Sequence, residues 1–112
     1  MNFKEYQDFY TEHQKNYKLT NHLDSDYLLK LSVMSLGLVG EAGEVSEVIK
    51  KYIRDGNLNK ELLKAELGDV LAYISNLCDL FGFTLEEVAE ASIKKNKDRA
   101  TRNVLQGAGN NR

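Results

Sequence analysis

No proline stands anywhere in the 112 residues. Proline stops helices because it lacks an N–H and its ring clashes with the preceding turn. A chain without it has few enforced breaks, so glycine, asparagine and cap residues must do the punctuating. Apolar residues recur at three- and four-residue steps through most of the chain, and strand-like alternation is almost absent. The reading is all-α, with four helices in a bundle.

The boundaries follow from local chemistry. Phe3, Tyr6, Tyr10, His13 and Tyr17 form one helical stripe. Lys18 to Ser25 is polar and reads as a loop ending in an N-cap at Asp24 or Ser25. A second helix runs from about Asp26 to Arg54, stopped by the turn signal Asp55-Gly56-Asn57. A third starts with Asn59 as cap and runs to about Phe81, where Gly82 ends it. Thr84 and Glu87 have capping-box spacing and open a fourth helix that reaches about Arg99. The Gly/Asn-rich tail from Asn103 to Arg112 has no helical pattern. Nothing resembles a linker, so residues 1–112 read as a single domain.

Composition narrows the function. Fifteen basic residues against 17 acidic ones leave a net charge of −2, which argues against a nucleic-acid binder living on bulk charge. A lone cysteine, Cys78, excludes an intrachain disulfide and fits a reducing cytoplasm. No apolar run approaches the ~20 residues that span a bilayer, so no membrane partner is expected. A small helical chain gains much by pairing with another copy.

The chemistry is concentrated in an internal echo. Glu41-Ala42-Gly43-Glu44-Val45 and Glu66-Leu67-Gly68-Asp69-Val70 both read acid-x-Gly-acid-Val, as if two facing helices presented the same constellation. At about 100° per residue, Met34, Tyr52, Val48 and Val45 all fall within about 40° of Glu41. Leu77, Tyr73 and Val70 fall equally close to Glu66. Glu44 and Asp69 sit on the edges of these stripes, near −60°. Acid pairs at this spacing usually mark a solvated face, but here they lie on the apolar side. Buried carboxylates repel one another and resist ionisation. A divalent cation removes both costs, and Mg²⁺ or Mn²⁺ takes oxygen ligands from residues at i and i+3. Gly43 and Gly68 each cost about 1 kcal/mol relative to alanine in a helix. Close helix approach or room for a ligand would offset that cost. Glu47 falls off the stripe and is placed to pair with Lys50 or Lys51.

The E-x-x-E and E-x-x-D pairs, with 21 residues between Glu44 and Glu66, resemble the MazG-type nucleotide pyrophosphohydrolases of the all-α NTP pyrophosphatase superfamily. The block Leu36-Gly37-Leu38-Val39-Gly40-Glu41-Ala42-Gly43-Glu44-Val45 is similar to that family's second helix. Glu66 to Tyr73 is similar to its third, and Leu85-Glu86-Glu87-Val88-Ala89 to the opening of its fourth. The likeness covers about residues 28 to 99, with weaker echoes at Tyr6-Gln7 and Asn111-Arg112. It implies cleavage of (d)NTPs between the α- and β-phosphates, giving a monophosphate and pyrophosphate, in nucleotide-pool house-cleaning. It also implies Glu41, Glu44, Glu66 and Asp69 as catalytic metal ligands, Mg²⁺ or Mn²⁺ as cofactor, and a homodimer or homotetramer.

An anionic substrate also needs protein cations. The family's fourth helix ends in an Asn-x-x-Lys-x-x-x-Arg pattern, and Ser92, Lys95 and Arg99 stand at those places; Ser92 departs from it, though a hydroxyl can still hydrogen-bond. Arg112 and Gln7 complete the expected substrate contacts, Gln7 by reading a base edge. Lys94 and Lys97 read as solvated cations. His13 and His22 lack metal-ligand spacing, and Cys78 reads as a small core residue. The aromatic stripe of the first helix reads as core or as contact with another copy, with base stacking a lesser alternative. Two rival functions share these features. One is phosphoribosyl-ATP pyrophosphatase, which has the same acid quartet. The other is a non-catalytic helical interaction module, which would have no reason to keep four carboxylates on apolar stripes.

Overall fold

The computed structural model describes residues 1–20, 22–103, 107, 109 and 110. Its elements are α1 (Phe3–His13), a short 3-10 turn (Gln14–Asn16), α2 (Ser25–Asp55), α3 (Lys60–Phe81) and α4 (Leu85–Thr101). Among the described residues there is no strand, as the periodicity requires.

The caps explain the boundaries. Asn2 and Glu5 close a capping box at the start of α1, and Thr84 and Glu87 close another at α4. Asp24 caps α2 by accepting from the Tyr27 N–H, and Asn59 caps α3 through the Leu62 N–H. These contacts satisfy donors that the first helical turn leaves unpaired. Gly56 and Gly82 end α2 and α3 at φ of 80° and 76°, left-handed values that cost glycine little. After Gly82 the Phe83 N–H returns to the Cys78 carbonyl at 2.9 Å, closing the last turn of α3.

One boundary differs from the sequence reading. The aromatic stripe reaches Tyr17, but α1 stops at His13 and Tyr17 is extended, with φ −83° and ψ 124°. The rings still form a ladder: Phe9 stacks on His13 at 5.6 Å, and His13 meets Tyr17 edge-on at 5.7 Å. Ring contacts between near neighbours thus survive the end of the helix.

α2 has 31 residues, about 46 Å at 1.5 Å per residue. It folds back along α3 as an antiparallel hairpin. Tyr27 at its start donates a hydrogen bond to the Leu80 carbonyl at 3.2 Å and meets Phe81 edge-on. Midway, the Tyr73 ring fills the space where a side chain on Gly37 would stand. The close approach expected at Gly43 or Gly68 is therefore found at Gly37. A methyl added to Gly43 or Gly68 would meet no atom of the described chain.

The four helices do not close into a bundle within one chain. Among the described residues α3 is the one helix that α4 packs against, and α1 packs against no element but the turn that follows it. Among the described residues the buried apolar core consists of Val48 and Cys78. The radius of gyration is 19.7 Å, against about 13 Å for a globular chain of this length. The aromatic stripe of α1 is consequently not core in this chain: Tyr6, Phe9, Tyr10 and Tyr17 are all exposed. No helix among the described residues is long and apolar enough to cross a membrane.

Candidate metal centre

The antiparallel register brings the two acid motifs to the same level. Glu41 and Glu66, at the centres of their apolar stripes, are half-buried; Glu44 and Asp69, at the edges, are exposed. One carboxylate oxygen from each of Glu41, Glu66 and Asp69 lies within 4.8 Å of the others. Such oxygens on two facing helices suit a hard divalent cation that takes carboxylate ligands, and the donor set therefore fits Mg²⁺ or Mn²⁺. Glu44 stands outside this tight group of three, although its charge reaches Glu66.

Electrostatics mark Glu66 as the strained member. Partial burial raises its carboxyl above the ordinary carboxylate range. A hydrogen bond with Glu41, the Glu41 charge, and then the charges of Glu44 and Asp69 push the same way. Every neighbour acting on Glu66 is an acid. A group in this position binds a proton or a cation in preference to standing ionised and bare. Glu47 is the contrast. Its hydrogen bond to Lys50, at 2.8 Å, and the charges of Lys50, Lys51 and Arg54 hold its carboxyl below the usual range. The stripe edge thus separates acids that face one another from an acid that faces lysine.

The expected substrate contacts lie elsewhere. Ser92, Lys95 and Arg99 sit on α4, which does not touch α2. Gln7 is exposed on α1. Arg112 and the echo at Asn111-Arg112 fall outside the described residues. Within one chain Ser92, Lys95, Arg99 and Gln7 are not gathered around the acids. Instead Lys95 and Arg99 meet the tail. Arg99, only 4% exposed, donates to the Gly109 carbonyl at 3.3 Å and to the Asn110 side-chain oxygen at 3.2 Å. Lys95 donates to the same Asn110 oxygen at 3.2 Å. Two cations one turn apart converge on one oxygen, which is the geometry that a phosphate oxygen would find attractive. Asn110 carries no signal in the sequence, because the contact spans 15 and 11 residues of chain.

Comparison with known proteins agrees with this geometry. The profile of the MazG nucleotide pyrophosphohydrolase domain matches residues 30–103, which includes all of the acid quartet. The chain is 39% identical to the Gene 37 protein of Mycobacterium phage L5, across 80% of this chain and 82% of that one. No solved structure matches it. The acid-x-Gly-acid-Val echo, set face to face on an antiparallel hairpin inside the matched span, therefore has a family to belong to: the chain is a MazG nucleotide pyrophosphohydrolase domain protein.

Proposed function

We propose that this protein is a Mg²⁺-dependent nucleoside triphosphate pyrophosphohydrolase, with Mn²⁺ as an alternative ion. It cleaves (d)NTPs between the α- and β-phosphates and clears surplus or non-standard nucleotides. The observation that carries this reading is the convergence of Glu41, Glu66 and Asp69 oxygens within 4.8 Å on facing helices, in a chain of this family. Glu41, Glu66 and Asp69 would hold the ion, and Glu44 would complete the quartet from the rim. A bound divalent ion neutralises phosphate charge and lowers the pKa of water. The protein's own part is to aim the four carboxylates and to keep one side of them apolar. Lys95 and Arg99, with Ser92, would contact the anionic substrate, and Gln7 the base.

The same reading calls for a homodimer or homotetramer. Phe3, Phe9, Leu29, Leu36, Val39 and Ile53 all expose most of their surface, a quantity of apolar area unusual for a monomer. A second copy would cover it, and would bring α1 and α4 of one chain toward the acids of another. The deciding experiment is a screen of nucleoside triphosphates with Mg²⁺ that reads pyrophosphate release, run beside light scattering. Pyrophosphate from at least one triphosphate, lost in Glu66→Gln, is the expected result. Silence with every triphosphate would sink the reading.

A further inference from the structure

Part of the C-terminal tail lies on the cations of α4. Lys95 and Arg99 stand one helical turn apart, and both donate to the Asn110 side-chain oxygen at 3.2 Å. Arg99 donates as well to the Gly109 carbonyl at 3.3 Å. Gly109 has a φ of 75°, a left-handed value that glycine adopts at little cost. Its carbonyl and the next side chain thereby face the same helix. Arg99 ends only 4% exposed, whereas Lys95 stays open to solvent.

The chemistry of this contact suits one that opens. Both acceptors are neutral, one a carboxamide oxygen and the other a peptide carbonyl. Lys95 forms no ion pair among the described residues. A phosphate oxygen offers these donors a full opposite charge, which a carboxamide does not. What the tail has instead is its tether. Asn110 is 11 residues along the chain from Arg99, and a group joined to its site by a short stretch of chain acts at roughly millimolar effective concentration. A tethered neutral group holds two cations while no anion is present and gives way when a polyanion arrives.

We propose that Gly109 and Asn110 form an autoinhibitory latch over the α4 cations, which the phosphates of the substrate displace in order to engage Lys95 and Arg99. The inference rests on the pyrophosphohydrolase reading, in which these two cations contact the substrate, and adds regulation to that site. An arriving anion meets Lys95 first, and reaches Arg99 as the tail lifts. A triphosphate brings more anionic oxygens to this exchange than the monophosphate product does, so the latch recloses more readily after cleavage.

Two substitutions at Asn110 pull the latch in opposite directions. Both change an exposed residue outside the helices, and both keep Arg112 in the chain. The readouts are the KM for the triphosphate and the calorimetric Kd for inorganic tripolyphosphate without metal. Asn110→Ala removes the shared acceptor and should lower both by about threefold, the loss of one hydrogen bond that competes with the anion. Asn110→Asp sets a carboxylate between the two cations and should raise both by about tenfold. A rise of either value in Asn110→Ala would mean that Asn110 aims the cations at the substrate, and would overturn the latch. Unchanged values in Asn110→Ala would overturn it too, while hydrolysis in the same experiment would leave the enzyme reading standing. The reverse result is equally distinct. Tripolyphosphate affinity that falls from Asn110→Ala through wild type to Asn110→Asp, in a protein that hydrolyses no triphosphate, would keep the latch and sink the enzyme reading.

Discussion

The α2–α3 hairpin and the two outer helices follow the same sequence rules and end in different situations. All four helices are capped as their termini require, and all carry apolar residues at helical spacing. In the hairpin these residues meet: Tyr73 fills the space over Gly37, Tyr27 reaches Leu80, and Val48 and Cys78 are buried. In α1 and α4 they remain largely uncovered, as Phe9 and Ile93 show. Link length alone does not decide this: the four-residue link Gly56 to Asn59 joins two helices that lie side by side, whereas the three-residue link Gly82 to Thr84 joins α3 to a helix that touches it far less, and among the described residues no contact ties α1 to the hairpin. The candidate metal centre occupies the self-sufficient half, and the expected nucleotide contacts on α1 and α4 occupy the half whose apolar faces stay exposed.

The largest effect should come from striking the self-sufficient half. Glu41→Gln, Glu66→Gln and Asp69→Asn should each leave a folded helical protein and lower pyrophosphate release by orders of magnitude, since each removes one of the three converging carboxylates that would hold the ion. Glu44→Gln should match them if the rim acid belongs to the quartet. A Glu44 variant with wild-type turnover would restrict the site to three carboxylates.

Next comes the dependent half. If, as proposed, Lys95 and Arg99 reach the acids from another copy, activity should fall on dilution through the dissociation range of that assembly. Light scattering that shows a fully active monomer of 12.7 kDa would break the comparison at its root.

A smaller effect belongs to the packing between α2 and α3. Gly37→Ala must displace the Tyr73 ring, and overpacking of this kind costs about 1–3 kcal/mol. A lowered melting temperature is expected, and an unchanged one would show that the ring moves at no cost.

The acids also predict a pH dependence. The folded-state pKa of Glu66 lies above its ordinary value of 4.5. Its contribution to stability is therefore fully present below that value and is lost as pH rises through the raised one. Metal-free protein should melt progressively lower as pH climbs from about 4.5, and Glu66→Gln should flatten that slope. Millimolar Mg²⁺ or Mn²⁺ should restore the melting temperature at the upper end, where the carboxylates are ionised and the ion binds only the folded state. No shift with either ion would count against the centre. Glu47→Gln should show the least, in melting temperature and in turnover alike, because its pair with Lys50 is solvent-exposed.

Much of this was legible residue by residue. Helix ends are short-range chemistry, so Asp24, Asn59, Gly56, Gly82 and the Thr84–Glu87 box announce themselves. The aromatic stripe misled on the helix end, because ring spacing continues through Tyr17 while the backbone leaves the helix at His13, and its core reading fails within this chain, where the rings stay exposed. The acid echo is equally local: its place on each apolar stripe follows from 3.6 residues per turn, and the half-buried centres and exposed edges match that angle. Gly37 was harder to read. A glycine in a helix signals that some compensation exists without saying against what, and Gly37, Gly43 and Gly68 look alike until Tyr73 is placed.

What the sequence by itself determined was thus the set of helices, their caps and the faces their acids occupy, all set by interactions within one or two turns. Only the tertiary structure decided that Glu44 stands apart from the other three, that Tyr73 fills the space over Gly37, and that Asn110 bridges Lys95 and Arg99. Each of these depends on where one helix or segment lies against another. That is fixed by interlocking surfaces and a shared register along the chain, and no periodicity within a single helix encodes it.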